Sequence, residues 1–337
     1  MPLRVAQHLW MEHGFGDFLG CHFRSVFFLL GHGDLMRSAV DLLSVVNRYG
    51  TDAECRAYLT SLRWPDGIDC PKCQSKKISR IAKRNQFDCD SCRYQFSVLS
   101  GTMFHDTHLA LTKWFFATYL LCESKKGMSA NQLKRMLRVS YETAWYLCHR
   151  IRAAMAAVPP VPKLGGTVEV DETFVGGRQR GSQRKAGFGD SNKEVVIGIR
   201  QRGGDLRFFH ADDAKSGTLA RYIRENIADD VDVIITDEYR PYRKAVGKAK
   251  HETVNHSAKE YVRLGTDIHT NTVESAFSLL KRGIIGTWHR MSAKHLQAYL
   301  DEMCWRFDNR KNPYLFRDTL LKMLEAEHVE YKKLTAA

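Results

Sequence analysis

The segment HTNTVESAFSLLK, residues 269–281, has the pattern of an amphipathic helix. Thr270 or Asn271 can cap the start of this helix. An apolar stripe follows at helical spacing, formed by Val273, Phe277 and Leu280. The adjacent row on the helix surface holds Glu274, Ser278 and Lys281. A carboxylate and a lysine on one helix face indicate either a solvated ion pair or two members of a functional site.

Composition and charge favour a protein that binds an anionic polymer. The 337 residues suffice for two or three domains, and 44% hydrophobic and 26% charged residues are typical of a globular protein. A formal charge of +13 and a pI near 9.3 predict nucleic acid or an acidic membrane as partner. The segment at 15–31 is interrupted by Asp17, His22 and Arg24, so we expect no membrane partner.

The nine cysteines indicate a metal site in a reducing compartment, because an odd number does not suit a secreted disulfide framework. Four of them form two CxxC pairs, and fifteen residues separate Cys73 from Cys89. This spacing predicts that Cys70, Cys73, Cys89 and Cys92 bind one structural Zn²⁺. A redox role would predict a single pair. Basic residues surround both pairs, which favours contact with nucleic acid.

The N-terminal half divides into five predicted regions. Residues 1–35 lack a clear period and form a poorly structured extension, with Met36 as an alternative natural start. A helical segment, 36–63, and the zinc ribbon, 64–100, follow. Residues 105–157 predict three helices that resemble a helix-turn-helix, with a DNA-facing set of Lys134, Arg135, Arg138 and Arg150. The proline-rich and glycine-rich stretch 158–166 is a linker.

Residues 167–310 predict an α/β domain with a mixed sheet, and 311–337 predict a C-terminal helix. Strand patterns occur at 167–175, 194–200, 206–210 and 231–236, and a short one near 252–255. The chain is therefore predicted to be a multidomain α+β protein.

Three acidic residues of the α/β region could form one metal site. Asp171 lies within the first strand pattern, Asp237 follows the fourth, and Glu274 comes 37 residues later in the helix described above. Carboxylates that converge repel one another unless cations lie between them, and Mg²⁺ prefers such oxygen ligands. Two ions of this kind would support in-line phosphoryl transfer. Each acidic residue could instead cap a strand or a loop.

Three sequence blocks resemble the catalytic blocks of DDE-type insertion-sequence transposases: VEVDETFVGG, IITDEY and HTNTVESAFSLLKRGIIGTWH. With the zinc ribbon, the chain is most similar to the ISXO-like group. The resemblance implies an RNase H-like domain with Asp171, Asp237 and Glu274 binding two Mg²⁺ or Mn²⁺ ions. It also implies that Lys281 contacts a DNA phosphate. Asn271 competes with Glu274 for the third position, and Glu172 and Glu238 compete with Asp171 and Asp237, the residues beside them, for the other two.

The resemblance implies a transposase that cuts at its element's terminal repeats and joins the freed 3′-hydroxyl to target DNA. Further DNA contacts are expected from Arg282 and from the basic loop 176–193, through Arg178, Arg180, Arg184 and Lys185. A homodimer or higher oligomer on DNA is expected because two ends are handled together. The expected location is the cytoplasm, at the nucleoid. The alternatives are a non-catalytic zinc-ribbon regulator and an RNase H-like nuclease without strand transfer.

Overall fold

The computed structural model describes residues 40–158, 160–176, 193–255, 262–289 and 291–336. The predicted extension at 1–35 lies outside these ranges. Two helices open the described chain, α1 (Leu42–Arg48) and α2 (Asp52–Arg63). Helix α2 starts with a capping box, in which Thr51 and Glu54 satisfy each other's backbone N–H groups.

The ribbon is a three-stranded antiparallel sheet in the order β1-β2-β3. Its strands are β1 (Ile78–Ile81), β2 (Gln86–Cys89) and β3 (Gln95–Phe96), with a 3-10 turn at Ala82–Arg84. Phe87 and Phe96 pack against Trp64, the C-cap residue of α2. The ribbon is thereby attached to the helical region through aromatic contacts.

Three helices follow the ribbon: α3 (Leu111–Glu123), α4 (Ala130–Leu137) and α5 (Tyr141–Met155). Helices α4 and α5 each begin with a side-chain cap, since Ser129 accepts the N–H of Gln132 and Ser140 accepts that of Thr143. Helix α5 is buried along most of its length, from Ala144 to Met155. It is therefore a core helix rather than a helix with one solvated face.

The second sheet is mixed and five-stranded. It consists of β4 (Thr167–Val175), β5 (Glu194–Gln201), β6 (Leu206–Ala211), β7 (Val233–Asp237) and β8 (His251–Val254). The spatial order is β6-β5-β4-β7-β8. Strands β4, β5 and β6 pair antiparallel, whereas β7 and β8 run parallel to β4. This arrangement, with helices on both faces, is RNase H-like.

Each face of this sheet carries its own helices. One face packs against α6 (Ser216–Asn226) and α7 (Pro241–Ala245). The other packs against α8 (Asn271–Gly283) and α9 (Ala293–Asp308). Because side chains alternate along a strand, Val168 and Val170 face α6 and α7 while Val175 faces α8.

A glycine allows α8 to lie close to the sheet. A Cβ at Gly198 would lie 2.6 Å from the ring of Phe277 and 3.0 Å from Val273, both on α8. Gly198 is the β5 partner of Asp171. The close approach of α8 therefore occurs beside Asp171.

The C-terminal segment is two helices, α10 (Leu315–Glu325) and α11 (Tyr331–Thr335), where the sequence predicted one. Helix α10 completes the N-terminal core, in which Phe316 packs against Tyr49 and Phe115. The Met103 N–H donates to the carbonyl of Met323, 2.9 Å away. The N-terminal helical core therefore depends on residues from the far end of the chain.

A buried ion cluster joins α5 to α9. Glu302 is fully buried and accepts from Arg152 at 2.5 Å and from Arg306 at 3.1 Å. Arg306 also donates to the carbonyls of Ser124 and Lys125, after α3. Charges buried in this way are stable only as a paired and hydrogen-bonded set.

Among the described residues, no helix combines the length and apolar character required to cross a membrane.

Candidate functional site

The four ribbon cysteines form a compact cluster. One ligand atom from each lies within 4.8 Å of all the others. The Cys70 and Cys92 sulfurs are 3.6 Å apart, and those of Cys73 and Cys89 are 3.5 Å apart. Four sulfurs at such separations suit a tetrahedral Zn²⁺ ion.

The two halves of the cluster are built alike. The N–H of Cys70 donates to the Ser75 carbonyl, and the N–H of Cys89 donates to the Tyr94 carbonyl. Gln74 and Arg93, each following its CxxC pair, have left-handed φ values of 58° and 59°. Two equivalent turns thus direct two sulfurs each toward one point. Local backbone hydrogen bonds hold this geometry.

The predicted DNA-facing residues of the helical region separate into two groups. Lys134, Arg135 and Arg138 are exposed at the end of α4. Arg150, in contrast, is only 3% exposed. Its guanidinium donates to the carbonyls of Met103 and His105 and lies 4.9 Å from the ring of Trp114. The prediction of Arg150 as a DNA contact is wrong, because this side chain stabilises the interior.

Burial of α5 also limits the helix-turn-helix interpretation. A recognition helix must present side chains to the major groove. Within α5, only Tyr141 and Glu142 in the first turn are exposed to solvent. The exposed basic surface is therefore on α4 and at the α4–α5 turn. Arg178, Arg180, Arg184 and Lys185 lie outside the described residues.

Strands β4 and β7 place Asp171 and Asp237 side by side. Glu169 pairs with Ile235, and the two aspartates each lie two residues further along their parallel strands. Residues two apart share a face, so both aspartates point toward the face that α8 covers. Asp237 is the last residue of β7, rather than following the strand, and accepts the N–H of Tyr239 at 3.0 Å.

The electrostatics of Asp171 show that acidic groups converge on it. Burial, the largest cause, raises the pKa of Asp171 well above its usual value. Repulsion from nearby carboxylates raises this pKa further, in the order Glu172, Asp237 and Glu274. Glu274, on α8, therefore lies near enough to Asp171 for its charge to raise the pKa of Asp171.

Glu172 and Glu238 have different surroundings from the aspartates beside them. Glu172 points to the opposite face, where the hydroxyl of the buried Tyr242 donates to it at 2.5 Å. Burial raises the pKa of Glu172 to about 7, and the Tyr242 hydrogen bond partly offsets this rise. Glu238 is exposed.

Helix α8 carries the remaining predicted residues. Asn271 is exposed at its first position, whereas Glu274 is partly buried. The Thr270 hydroxyl, which is fully buried, donates to Glu274 Oε1 at 2.8 Å. Lys281 and Arg282 are exposed in the last turn. The acidic end of α8 is thus near Asp171, and its basic end is open to solvent.

The acidic cluster is looser than the cysteine cluster. Over the described ranges, only the four cysteines bring three or more metal-ligating side chains within 4.8 Å of one another. Carboxylate oxygens are nevertheless the donors that Mg²⁺ and Mn²⁺ prefer. The carboxylates of Asp171, Asp237 and Glu274 could therefore hold such a cation, which would also relieve their repulsion.

Sequence reasoning missed a fourth acidic residue on this face. Glu169 is fully buried, and Arg202 Nε donates to its Oε1 at 2.7 Å. Its Oε2 accepts the backbone N–H groups of Thr272 and Val273, at the start of α8. The only signal in the sequence was its position two residues before Asp171, between two valines.

Comparison with known proteins identifies two family domains. A family model described as a transposase zinc-ribbon domain matches residues 50–95. A model described as an ISXO2-like transposase domain matches residues 163–308, which include β4 to β8 and α8.

One curated relative and two solved structures are similar to this chain. An uncharacterized protein in transposable element ISH50 of Halobacterium salinarum is 33% identical over 263 residues, which are 72% of this chain and 86% of the relative. The Mos1 strand transfer complex is 11% identical, with coverage of 63% and 75% of the two chains and a TM-score of 0.27. A pre-cleavage Mos1 transpososome is 12% identical, with coverage of 64% and 79% and a TM-score of 0.22.

TM-scores this low do not establish a shared fold. The zinc-ribbon match spans the cysteine cluster, and the transposase-domain match spans the RNase H-like sheet. The chain belongs to the ISXO2-like insertion-sequence transposases that carry a zinc ribbon.

Proposed function

We propose that this transposase cuts the phosphodiester at each end of its element and joins the freed 3′-hydroxyl to target DNA. The observation that supports this most strongly is the convergence of Glu274 and Asp237 on Asp171, from three distant parts of the sequence. Acidic residues with only a structural role are not expected to lie close together in a partly buried place, because their charges repel one another there. Such an arrangement is explained if the site works with cations bound.

In this proposal Asp171, Asp237 and Glu274 hold two Mg²⁺ or Mn²⁺ ions. When bound, these ions supply Lewis-acid chemistry that activates an attacking hydroxyl and stabilises the leaving oxygen. The protein contributes the positions of the three carboxylates. Strands β4 and β7 fix the two aspartates, and Thr270 orients Glu274 through its hydroxyl. No covalent bond between protein and DNA is needed.

Glu274 is a better third ligand than Asn271. Its carboxylate contributes to the raised pKa of Asp171, whereas Asn271 is exposed at the helix start. Asp171 and Asp237 are likewise favoured over their neighbours, because Glu172 bonds to Tyr242 on the opposite face and Glu238 is exposed. We assign Lys281 and Arg282 to DNA phosphates because both are exposed on the helix that carries Glu274.

The zinc ribbon and the exposed α4 surface are proposed to bind the terminal repeats. Lys134, Arg135 and Arg138 supply phosphate contacts there. The Zn²⁺ ion has a structural role, because all four of its positions are filled by cysteines. We further propose that the protein works at the nucleoid in the cytoplasm, where thiols stay reduced. A homodimer would hold the two ends together.

The test uses DNA that carries the inverted repeats flanking the reading frame. Glu274→Gln should reduce end cleavage by at least about 1,000-fold, since it removes a metal-binding charge, and should leave end binding unchanged. Asn271→Ala is the matched variant and should retain cleavage within about threefold, in line with its exposed position. Cleavage and binding are measured on the same labelled duplex.

The outcomes separate the candidate functions. Full cleavage by Glu274→Gln would refute the proposed ligand set. Cleavage by the native protein without joining to a target plasmid would identify a nuclease instead. Binding of the repeats without any metal-dependent cleavage would identify a DNA-binding regulator.

A further inference from the structure

Glu169 connects the strand of Asp171 directly to the helix of Glu274. It lies two residues before Asp171 on the same face of β4. Its Oε2 accepts three hydrogen bonds from α8: from the N–H of Thr272 at 2.9 Å, from the hydroxyl of Thr272 at 2.7 Å, and from the N–H of Val273 at 3.0 Å. Glu274 is the next residue after Val273.

The other oxygen of Glu169 is held by a basic group. Arg202, at the β5–β6 turn, donates from Nε to Glu169 Oε1 at 2.7 Å. The same guanidinium donates to the carbonyl of His269 at 2.9 Å and to Asp267 at 2.7 Å. Arg202 thus links the carboxylate to the segment that leads into α8. The negative charge also lies at the positive end of the helix dipole.

This network provides the start of α8 with its hydrogen-bond partners. The first N–H groups of a helix have no partner within the helix, and a side chain at the N-cap normally supplies one. Thr270, at the N-cap position, gives no such bond, and its hydroxyl goes to Glu274 instead. Glu169, on strand β4, takes the role that an N-cap side chain normally has. The position at which α8 begins is therefore fixed by β4.

A completely buried carboxylate is costly unless it is paired, and purely apolar contacts between strand and helix would not carry this cost. The hydrogen bonds of Glu169 instead orient the start of α8 relative to β4. Glu169 lies two positions before Asp171 on β4, and Thr272 and Val273 are the two residues directly before Glu274 on α8. The carboxylate therefore fixes the separation and rotation of two groups that must share a cation.

We propose that Glu169 is a positioning residue that sets Glu274 against Asp171, so that the acidic cluster binds a divalent cation in the geometry needed for cleavage. This inference rests on the proposed function. It assigns to Glu169 no contact with the metal or with DNA. Gly198 cooperates by letting α8 approach the sheet beside Asp171.

The test measures Mn²⁺ affinity directly, by electron paramagnetic resonance of Mn²⁺ added to the full-length zinc-loaded protein without DNA. Glu169→Gln keeps the shape but loses the charge and presents an amide to the helix N–H groups. We expect its Mn²⁺ dissociation constant to rise by about tenfold or more, with the cleavage rate falling at saturating DNA. End-binding affinity should stay within about twofold.

Two further variants keep the test decisive. Thr272→Val preserves the helix and removes only the hydroxyl bond, so a rise of about threefold in the Mn²⁺ dissociation constant is expected even if Glu169→Gln folds poorly. Glu302→Gln is the matched control, because it neutralises another fully buried, arginine-paired carboxylate. It should lower stability without changing Mn²⁺ affinity.

Unchanged Mn²⁺ affinity in both Glu169→Gln and Thr272→Val would overturn the inference. An equal loss of affinity in Glu302→Gln would also overturn it, because the effect would then follow from general destabilisation. The proposed function fails differently, through cleavage by Glu274→Gln. The two failures are therefore distinguishable.

Discussion

The cysteine cluster and the acidic cluster are assembled in opposite ways. The cysteines lie between residues 70 and 92, and two equivalent backbone turns bring their sulfurs within 4.8 Å. The acidic residues extend from Asp171 to Glu274 and meet only because β4, β7 and α8 pack together. Their ligand atoms do not come within that distance as a group.

The difference follows from charge. Thiols can be neutral before metal binds, so a local fold can gather four of them closely. Carboxylates in a partly buried place repel, and the pKa of Asp171 is raised first by burial and then by this repulsion. We expect the first site to be completed by its metal, and the second to be a source of instability in the metal-free protein. The following experiments test this contrast, beginning with the largest expected effect.

Cys89→Ser should abolish zinc binding and unfold the ribbon, because a segment this small depends on its metal for stability. We expect affinity for the element ends to fall by about 100-fold or more, with the α/β sheet intact. Zinc content by atomic absorption and end binding by gel shift measure these effects. Cys148→Ala is the control: burial raises the pKa of Cys148 to about 11, and the residue lies outside the cluster. Retained zinc in Cys89→Ser would contradict the proposed ligand set.

Divalent cations should stabilise the α/β region of the native protein. A ligand present at about 100 times its dissociation constant adds about 2.7 kcal/mol to the unfolding free energy. Thermal melts with and without Mg²⁺ or Mn²⁺ measure this gain in buffer free of chelators, which would otherwise remove the zinc. Asp171→Asn should show no gain. A gain of the same size in that variant would place the cation elsewhere.

Asp171→Asn should make the metal-free protein more stable, by about 1 kcal/mol, because it removes a partly buried charge from among its neighbours. The melting temperature should rise by about 2–4 °C. Glu238→Gln, an exposed neighbour of Asp237, should change stability by less than about 0.5 kcal/mol. A lower melting temperature for Asp171→Asn would mean that the carboxylate has a structural role.

The same contrast explains how much the sequence predicted. The ribbon depends on local spacing, and the four cysteines that the spacing predicts as ligands lie together in the structure. The strands of the α/β region were predicted within a few residues because alternation is also local. Glu169 was missed, since an acidic residue between two valines has no local signature, and its partners on α8 lie about 100 residues away.

The wrong assignment of Arg150 has a related cause. In the sequence of α5, apolar residues at helical spacing predict one buried face and one solvated face, and Arg150 lies off this stripe of Ala144, Leu147, Cys148 and Ile151. In the structure α5 packs against both α9 and α10, so the residues opposite the stripe are buried as well. Helix α10 reaches this core from the C-terminal end. Periodicity within one helix does not reveal how many neighbours the helix has.

The position of α10 also concerns the order in which the protein is made. A nascent chain that has just completed α9 already contains every cysteine ligand and all three proposed acidic ligands. It still lacks Phe316, Leu320 and Met323, which fill the core beneath α3 and α5. We therefore expect the helices next to the ribbon to reach their final packing only after Leu315–Glu325 leaves the ribosome. Polypeptides from interrupted translation would then compete poorly for the element ends.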